Sequence, residues 1–197
     1  MTGATKDRAM RIIYAAEHRV MPWKNGGGTT TEIAISPSGA SMDDFDWRIS
    51  MAHVGADGPF SSFPGIDRTL SVLRGEGIGL AFCDGETVRL DRSSAPFGFT
   101  ADRRVEGKLL AGPIDDLNVM SRRGRWSHAV ERLTGPGRHR VAAEAGLLLV
   151  IAPEGGWTAD GRALAAGDAA VLEAPASLAL VAEGDVALFA VRLTVAS

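Results

Sequence analysis

No long amphipathic helix can be drawn through this chain, because Gly, Pro, Asp and Ser interrupt it roughly every 8–12 residues. Between the interruptions lie short alternating or wholly apolar runs, the pattern of a β-sandwich or barrel. Strands are expected over 11–16, 29–36, 46–52, 68–74, 77–82, 86–90, 105–110, 117–122, 126–133, 146–151, 169–173, 177–182 and 186–193. Asp84-Gly85 and Asp160-Gly161 are hairpin dipeptides, since both residue types tolerate the positive φ of a tight turn. The two halves also rhyme. Residues 70–75 lead through Asp84-Gly85 to the apolar run 108–112, and 147–152 lead through Asp160-Gly161 to 186–191. Each passage takes about 40 residues, a repeat-like period. The expected architecture is therefore all-β, with two related barrels in one chain.

Chemistry divides unevenly between the halves. Residues 146–195 are almost bare of polar side chains within strands, whereas 20–125 hold nearly all the polar groups of interest. We therefore expect a disordered polar tail over 1–9, an N-terminal barrel with a candidate pocket over 10–133, and a structural C-terminal barrel over 134–197. The 21 basic and 24 acidic residues of the 197 nearly balance, which disfavours nucleic acid as a partner. No apolar run approaches the roughly 20 residues that span a bilayer. The lone cysteine, Cys83, allows neither an internal disulfide nor a multi-cysteine metal site, and it suggests a reducing, cytoplasmic setting.

The segment Pro22-Trp23-Lys24-Asn25-Gly26-Gly27-Gly28-Thr29 sets an aromatic, a cation and an amide beside three glycines. Glycine triplets let a backbone turn sharply or approach something closely. The lysine precedes the glycines and no helix pattern follows, so neither a Walker loop nor a dinucleotide fingerprint fits. Trp23, Lys24, Asn25, Gly26 and Thr29 are candidates for the mouth of a small polar or anionic site.

Two alternating strands supply further candidates. In 47–52, Arg48 and Ser50 share a face opposite Trp47, Ile49 and Met51. A buried arginine demands an anionic partner, either a ligand or a protein carboxylate such as Glu32 or Asp67. In 117–122, Asn118, Met120 and Arg122 share a face, and a polar, soft and cationic stripe suits a ligand-lined interior. The loop 58–68 carries two prolines and two phenylalanines, and it offers Ser61 and Phe63 as pocket walls.

No catalytic engine is visible. His18, His53, His128 and His139 form no His-x-His pair and none has a Glu at ligand spacing, so no metal or other cofactor is expected. No nucleophile elbow is present, and Cys83 has no evident histidine base.

The blocks Pro22-Trp-Lys-Asn-Gly-Gly-Gly-Thr-Thr30, Phe45-Asp-Trp-Arg-Ile-Ser50, Gly58-Pro-Phe-Ser-Ser-Phe-Pro-Gly-Ile-Asp-Arg68 and Gly112-Pro-Ile-Asp-Asp-Leu-Asn-Val-Met-Ser-Arg122 together resemble the HutD/Ves family. They occur in the family's order, and the resemblance covers residues 10–195. Thr31 stands where Arg is common, and Leu117 where Phe is common. The resemblance implies a cupin-type β-barrel fold, a bicupin, and an association with bacterial histidine utilisation. It implies binding of a small pathway molecule such as urocanate or formylglutamate, and a restraint on pathway output. It brings no assigned catalytic activity. The expected partner is a small anionic metabolite, with neither nucleic acid nor membrane, and with a homodimer admitted. The competing expectation is a cupin enzyme, an isomerase or hydrolase, using Lys24, Glu32 or Asp67 as acid or base.

Overall fold

The structure, a computed structural model, describes residues 10–24 and 26–196. The expected tail over 1–9 and the candidate Asn25 lie outside the described residues. Among the described residues there is no α-helix, only the 3₁₀ turn Ala15–Glu17. The strands are β1 (Arg11–Ile13), β2 (Arg19–Pro22), β3 (Gly28–Ser36), β4 (Trp47–Val54), β5 (Gly58–Pro59), β6 (Ile66–Arg74) and β7 (Ile78–Phe82). They continue as β8 (Thr87–Leu90), β9 (Phe97–Thr100), β10 (Val105–Leu109), β11 (Ile114–Arg122), β12 (Trp126–Thr134) and β13 (Gly137–Ala143). The last six are β14 (Leu147–Ile151), β15 (Trp157–Ala159), β16 (Arg162–Leu164), β17 (Ala169–Glu173), β18 (Ala176–Ala182) and β19 (Ala187–Val195). The all-β expectation holds.

The described residues fall into two units, 17–131 with 195–196 and 10–16 with 132–194. The division falls at 131/132, inside β12. The N-terminal strand differs from expectation: β1 pairs antiparallel with β17 and belongs to the C-terminal unit. Its Ile12 and Ile13 are both buried, and that apolar pair outweighs proximity in sequence.

The N-terminal unit has a six-stranded sheet, ordered β2-β3-β4-β11-β6-β9, and a four-stranded sheet, ordered β5-β10-β7-β8. One apolar cluster joins them. Ala52, Val54, Leu70, Val72 and Ile114 come from the larger sheet, and Ile78, Leu80, Phe82, Leu90 and Val105 come from the smaller. A second cluster, Phe45, Ile66, Ala101 and Met120, packs with Ile35, Ala40 and Phe63. Two irregularities interrupt the larger sheet. The β3–β4 register shifts between Glu32 and Ala34, and the β11–β6 register shifts between Asp115 and Asp116. Such bulges bend a strand and re-aim side chains, often beside functional sites.

The C-terminal unit repeats the plan. Its sheets are ordered β1-β17-β14-β19-β12 and β13-β18-β15-β16. The order β4-β11-β6-β9 of the first larger sheet returns as β12-β19-β14-β17, and β5-β10-β7-β8 returns as β13-β18-β15-β16. Eight strands thus recur with the same neighbours, each strand number advanced by eight. Apolar side chains form the interior cluster here, with Leu148, Val150, Trp157, Leu178, Leu180 and Leu188 almost inaccessible. The Asp84-Gly85 and Asp160-Gly161 hairpins form between β7 and β8 and between β15 and β16, and Asp160 takes a positive φ of 46°.

Candidate functional site

Alternation along β4 turns Arg48, Ser50, Ala52 and Val54 toward the interior of the N-terminal unit. On β11 it turns Ile114, Asp116, Asn118 and Met120 the same way, and on β6 it turns Arg68, Leu70 and Val72. The register then lays these residues out in rows. Glu32, Ser50 and Asn118 stand side by side across β3, β4 and β11. Arg48, Met120 and Arg68 form the next row across β4, β11 and β6. Asp116 stands between Ala52 and Val72 in the row on the other side. A polar belt therefore crosses an interior whose remaining lining is apolar.

Within the belt, Arg48 Nε donates to Glu32 Oε2 at 2.7 Å, and Arg48 Nη1 lies 3.5 Å from the Ser50 hydroxyl. Arg68 donates through Nε at 2.8 Å to Asn118 Oδ1, and through Nη2 to the same oxygen. Asn118 Nδ2 donates to Asp116 Oδ1. The Arg68 guanidinium carbon sits 4.6 Å from the Phe60 ring centroid and 5.7 Å from that of Phe99, which covers a cation with π faces. Arg48, Ser50, Arg68, Asp116 and Asn118 are all buried. Fully buried polar groups of this kind are costly unless satisfied, so the belt is exacting to build. Its arginines retain donors, Nη2 of Arg48 and Nη1 of Arg68, that meet no acceptor among the described residues.

Burial dominates the electrostatics. It lowers the pKa of Arg68 to about 10, against the attraction of Asp116 and with the help of the Arg48 charge. It pushes Asp116 up to about 6, against the favourable influence of Arg68, the Asn118 amide and the Ala52 backbone, and with the repulsion of Asp115.

Several expected site residues lie elsewhere. Lys24 and Gly26 are exposed on the turn between β2 and β3. Thr29 pairs with His53 and so faces away from the belt; its neighbour Thr30 faces inward and accepts a bond from Trp23 Nε1 at 2.8 Å. Trp23 itself packs against the apolar interior cluster. Gly28 is needed for close approach, since a Cβ there would stand 2.1 Å from the His53 carbonyl oxygen. Gly28 thus serves strand and indole packing, whereas Gly26 has a positive φ of 71° and open space around it. Asp67 points to the opposite face from Arg68 and pairs with Arg123 at 2.9 Å. Arg122 donates to the Phe45 carbonyl at 2.9 Å and to the Asp43 carbonyl at 2.7 Å, so it pins the loop before β4. Ser61 is exposed, and Phe63 meets Phe45 edge-to-face at 6.3 Å. Glu32, Arg48, Ser50, Asn118 and Met120 do come together. Sequence reasoning missed Arg68 and Asp116. The signal was present: Asp116 is two residues before Asn118, and Arg68 is two before the core Leu70.

Among the described residues, no three His, Cys, Asp or Glu gather as metal ligands. His128 instead lies between two hydroxyls, with Thr69 Oγ1 2.9 Å from Nε2 and Ser121 Oγ 2.7 Å from Nδ1, and burial lowers its pKa to about 4. No helix among the described residues is long and apolar enough to cross a membrane.

Fold and site together define a cupin-type all-β protein with a buried guanidinium–amide–carboxyl belt in its N-terminal unit. The HutD family model matches residues 15–190, and the chain belongs to that family. It is 36% identical over 139 residues to an uncharacterised 21.2 kDa protein in the hutC 3′ region of Pseudomonas putida, covering 71% of this chain and 72% of that one. It is 35% identical over 152 residues to protein Ves of Citrobacter koseri, covering 75% and 76%. A conserved protein of unknown function from Pseudomonas aeruginosa PAO1 superposes with a TM-score of 0.85 at 34% identity, covering 94% of this chain and 99% of that one. HutD from Pseudomonas fluorescens SBW25 superposes at 0.83 with 29% identity, covering 96% and 100%. YhhW from Escherichia coli, at 0.66 and 10% identity over 96% and 98%, shares the fold alone.

Proposed function

We propose that the protein is a metal-free binding protein for a small carboxylate, which senses or limits an intermediate of histidine utilisation in the cytoplasm. The observation that carries this reading is the pair of buried guanidinium groups, Arg48 and Arg68, set either side of Met120 with donors to spare. A planar guanidinium matches a carboxylate in two-pronged geometry, and a desolvated interior strengthens that pairing. Among the described residues the belt's carboxyls are Glu32 and Asp116; burial raises the Asp116 pKa to about 6, and its protonation would leave a cationic surplus that an anion neutralises. Membership of the HutD family, and a relative encoded beside hutC, support urocanate or formylglutamate as the ligand.

The test is calorimetric titration of urocanate, formylglutamate and their neutral amides into wild type, Arg48→Ala and Arg48→Lys. The acids should bind and the amides should bind far more weakly. Arg48→Ala should lose ~2–5 kcal/mol of binding, as when one partner of a buried charge pair is removed. Arg48→Lys should recover little of it. Equal affinity for acid and amide, or normal binding by Arg48→Ala, overturns the reading.

A further inference from the structure

Asp116 is the one belt member whose role is not explained by holding its neighbours. Its Oδ1 accepts from Asn118, but its Oδ2 is buried and meets no donor among the described residues. The residue is 1% exposed, and it sits where the β11–β6 register shifts, a feature that re-aims side chains. Leaving a carboxyl oxygen buried and unpartnered carries a desolvation penalty that a fold seldom bears without use. Ala52 and Val72 flank it in its row; their side chains carry no donor, and the Ala52 backbone N–H, which favours the charged carboxyl, leaves Oδ2 without a partner among the described residues. It lies two residues along β11 from Asn118, about 7 Å at the usual strand rise.

We propose that Asp116 Oδ2 is a specificity-determining acceptor, and that the ligand of the belt carries, besides its carboxylate, an N–H or O–H donor placed to meet that oxygen. This rests on the reading of Arg48 and Arg68 as a carboxylate site. The carboxylate end faces the guanidinium groups, and the donor end faces Asp116, a short chain or small ring away. A site with a buried acceptor rejects an analogue that lacks the donor much more strongly than a hydrophobic pocket rejects a missing methylene.

The experiment uses two matched pairs of carboxylates. Urocanate is compared with cinnamate, whose phenyl ring replaces the imidazole and removes the N–H. Formylglutamate is compared with glutarate, which lacks the amide N–H. Each is titrated calorimetrically into wild type and Asp116→Asn. In the variant, the retained carbonyl oxygen stays on the Asn118 amide and an NH₂ faces the ligand, so a donor meets a donor. Wild type should prefer the donor-bearing member of at least one pair by tenfold or more. Asp116→Asn should reduce that preference to within threefold. Equal, measurable binding of both members to wild type overturns the inference alone and leaves the carboxylate site standing; a bridging water on Oδ2 predicts that outcome. A variant that folds and keeps the full preference also overturns it. Failure of all four acids to bind folded wild type overturns the carboxylate site and this inference together. Should Asp116→Asn fail to fold, the wild-type comparison decides by itself.

Discussion

At the scale of single residues, the belt depends on which member of each polar doublet faces inward. Asp67-Arg68 and Asp115-Asp116 are such doublets, and strand alternation sends one member in and the other out. Arg68 and Asp116 go in; Asp67 and Asp115 go out to Arg123 and His53, the latter at 2.8 Å. A buried pair of this kind is asymmetric in energy, because removing one member leaves the other charged and unpartnered. Arg68→Met should therefore destabilise the protein by roughly 3–5 kcal/mol in urea unfolding. Adding Asp116→Leu should restore part of that loss, since neighbouring substitutions in one network do not add. A double variant as unstable as the sum of the singles would show that the two groups do not interact. Arg122 gives the contrast. Its bonds run to the Asp43 and Phe45 carbonyls. Arg122→Ala should lower stability while changing carboxylate affinity less than threefold. A tenfold loss in titration would place Arg122 in the site after all.

At the scale of elements, the alternating strands and the Asp-Gly hairpins were legible because local pattern decides them. Six strands were not: β2, β5, β9, β13, β15 and β16. Five of these, β2, β5, β9, β15 and β16, have four residues or fewer and include Gly-Pro and Phe-Gly-Phe, which carry no strand signal alone. β13 alternates Arg138, His139 and Arg140 with little apolar content at its start, and it forms because β18 pairs with it along its whole length. The glycine run was read as a ligand loop because sequence cannot say what a glycine approaches. Here the neighbour is the β4 backbone. Gly28→Ala would set a Cβ 2.1 Å from the His53 carbonyl oxygen, so β3 and β4 must part. Gly26 has φ +71° with open space around it, so Gly26→Ala meets only the left-handed backbone penalty, about 1–2 kcal/mol. Urea titrations should rank Gly28→Ala well below Gly26→Ala in stability. The reverse order would mean that the close approach is not what the glycine serves.

At the scale of the whole molecule, two buried titrating groups act against each other. Asp116 is raised to about 6 from 3.8, so the folded state holds a proton that the unfolded state has released. Its contribution to stability falls as pH rises from about 4 to 6. His128 is lowered to about 4 from 6.5, so the unfolded state binds the extra proton. Its contribution is present above 6.5 and is lost as pH falls through about 4. The slopes oppose between about 4 and 6 and should largely flatten the wild-type profile. Thermal melts of Asp116→Asn should show stability rising with pH across this window, and melts of His128→Gln should show it falling. Parallel profiles for the two variants would refute the assignment. The sequence alone determined the all-β class, the hairpin turns, the apolar C-terminal interior and the inward face of β4, because each follows from a local period or a residue's own φ preference. Tertiary structure decided which strand β1 joins, that Gly28 serves packing, and that Arg68 and Asp116 complete the belt. Those outcomes depend on register, which is set by partners distant in the chain: alternation tells which residues of one strand share a face, not which residues of other strands stand beside them.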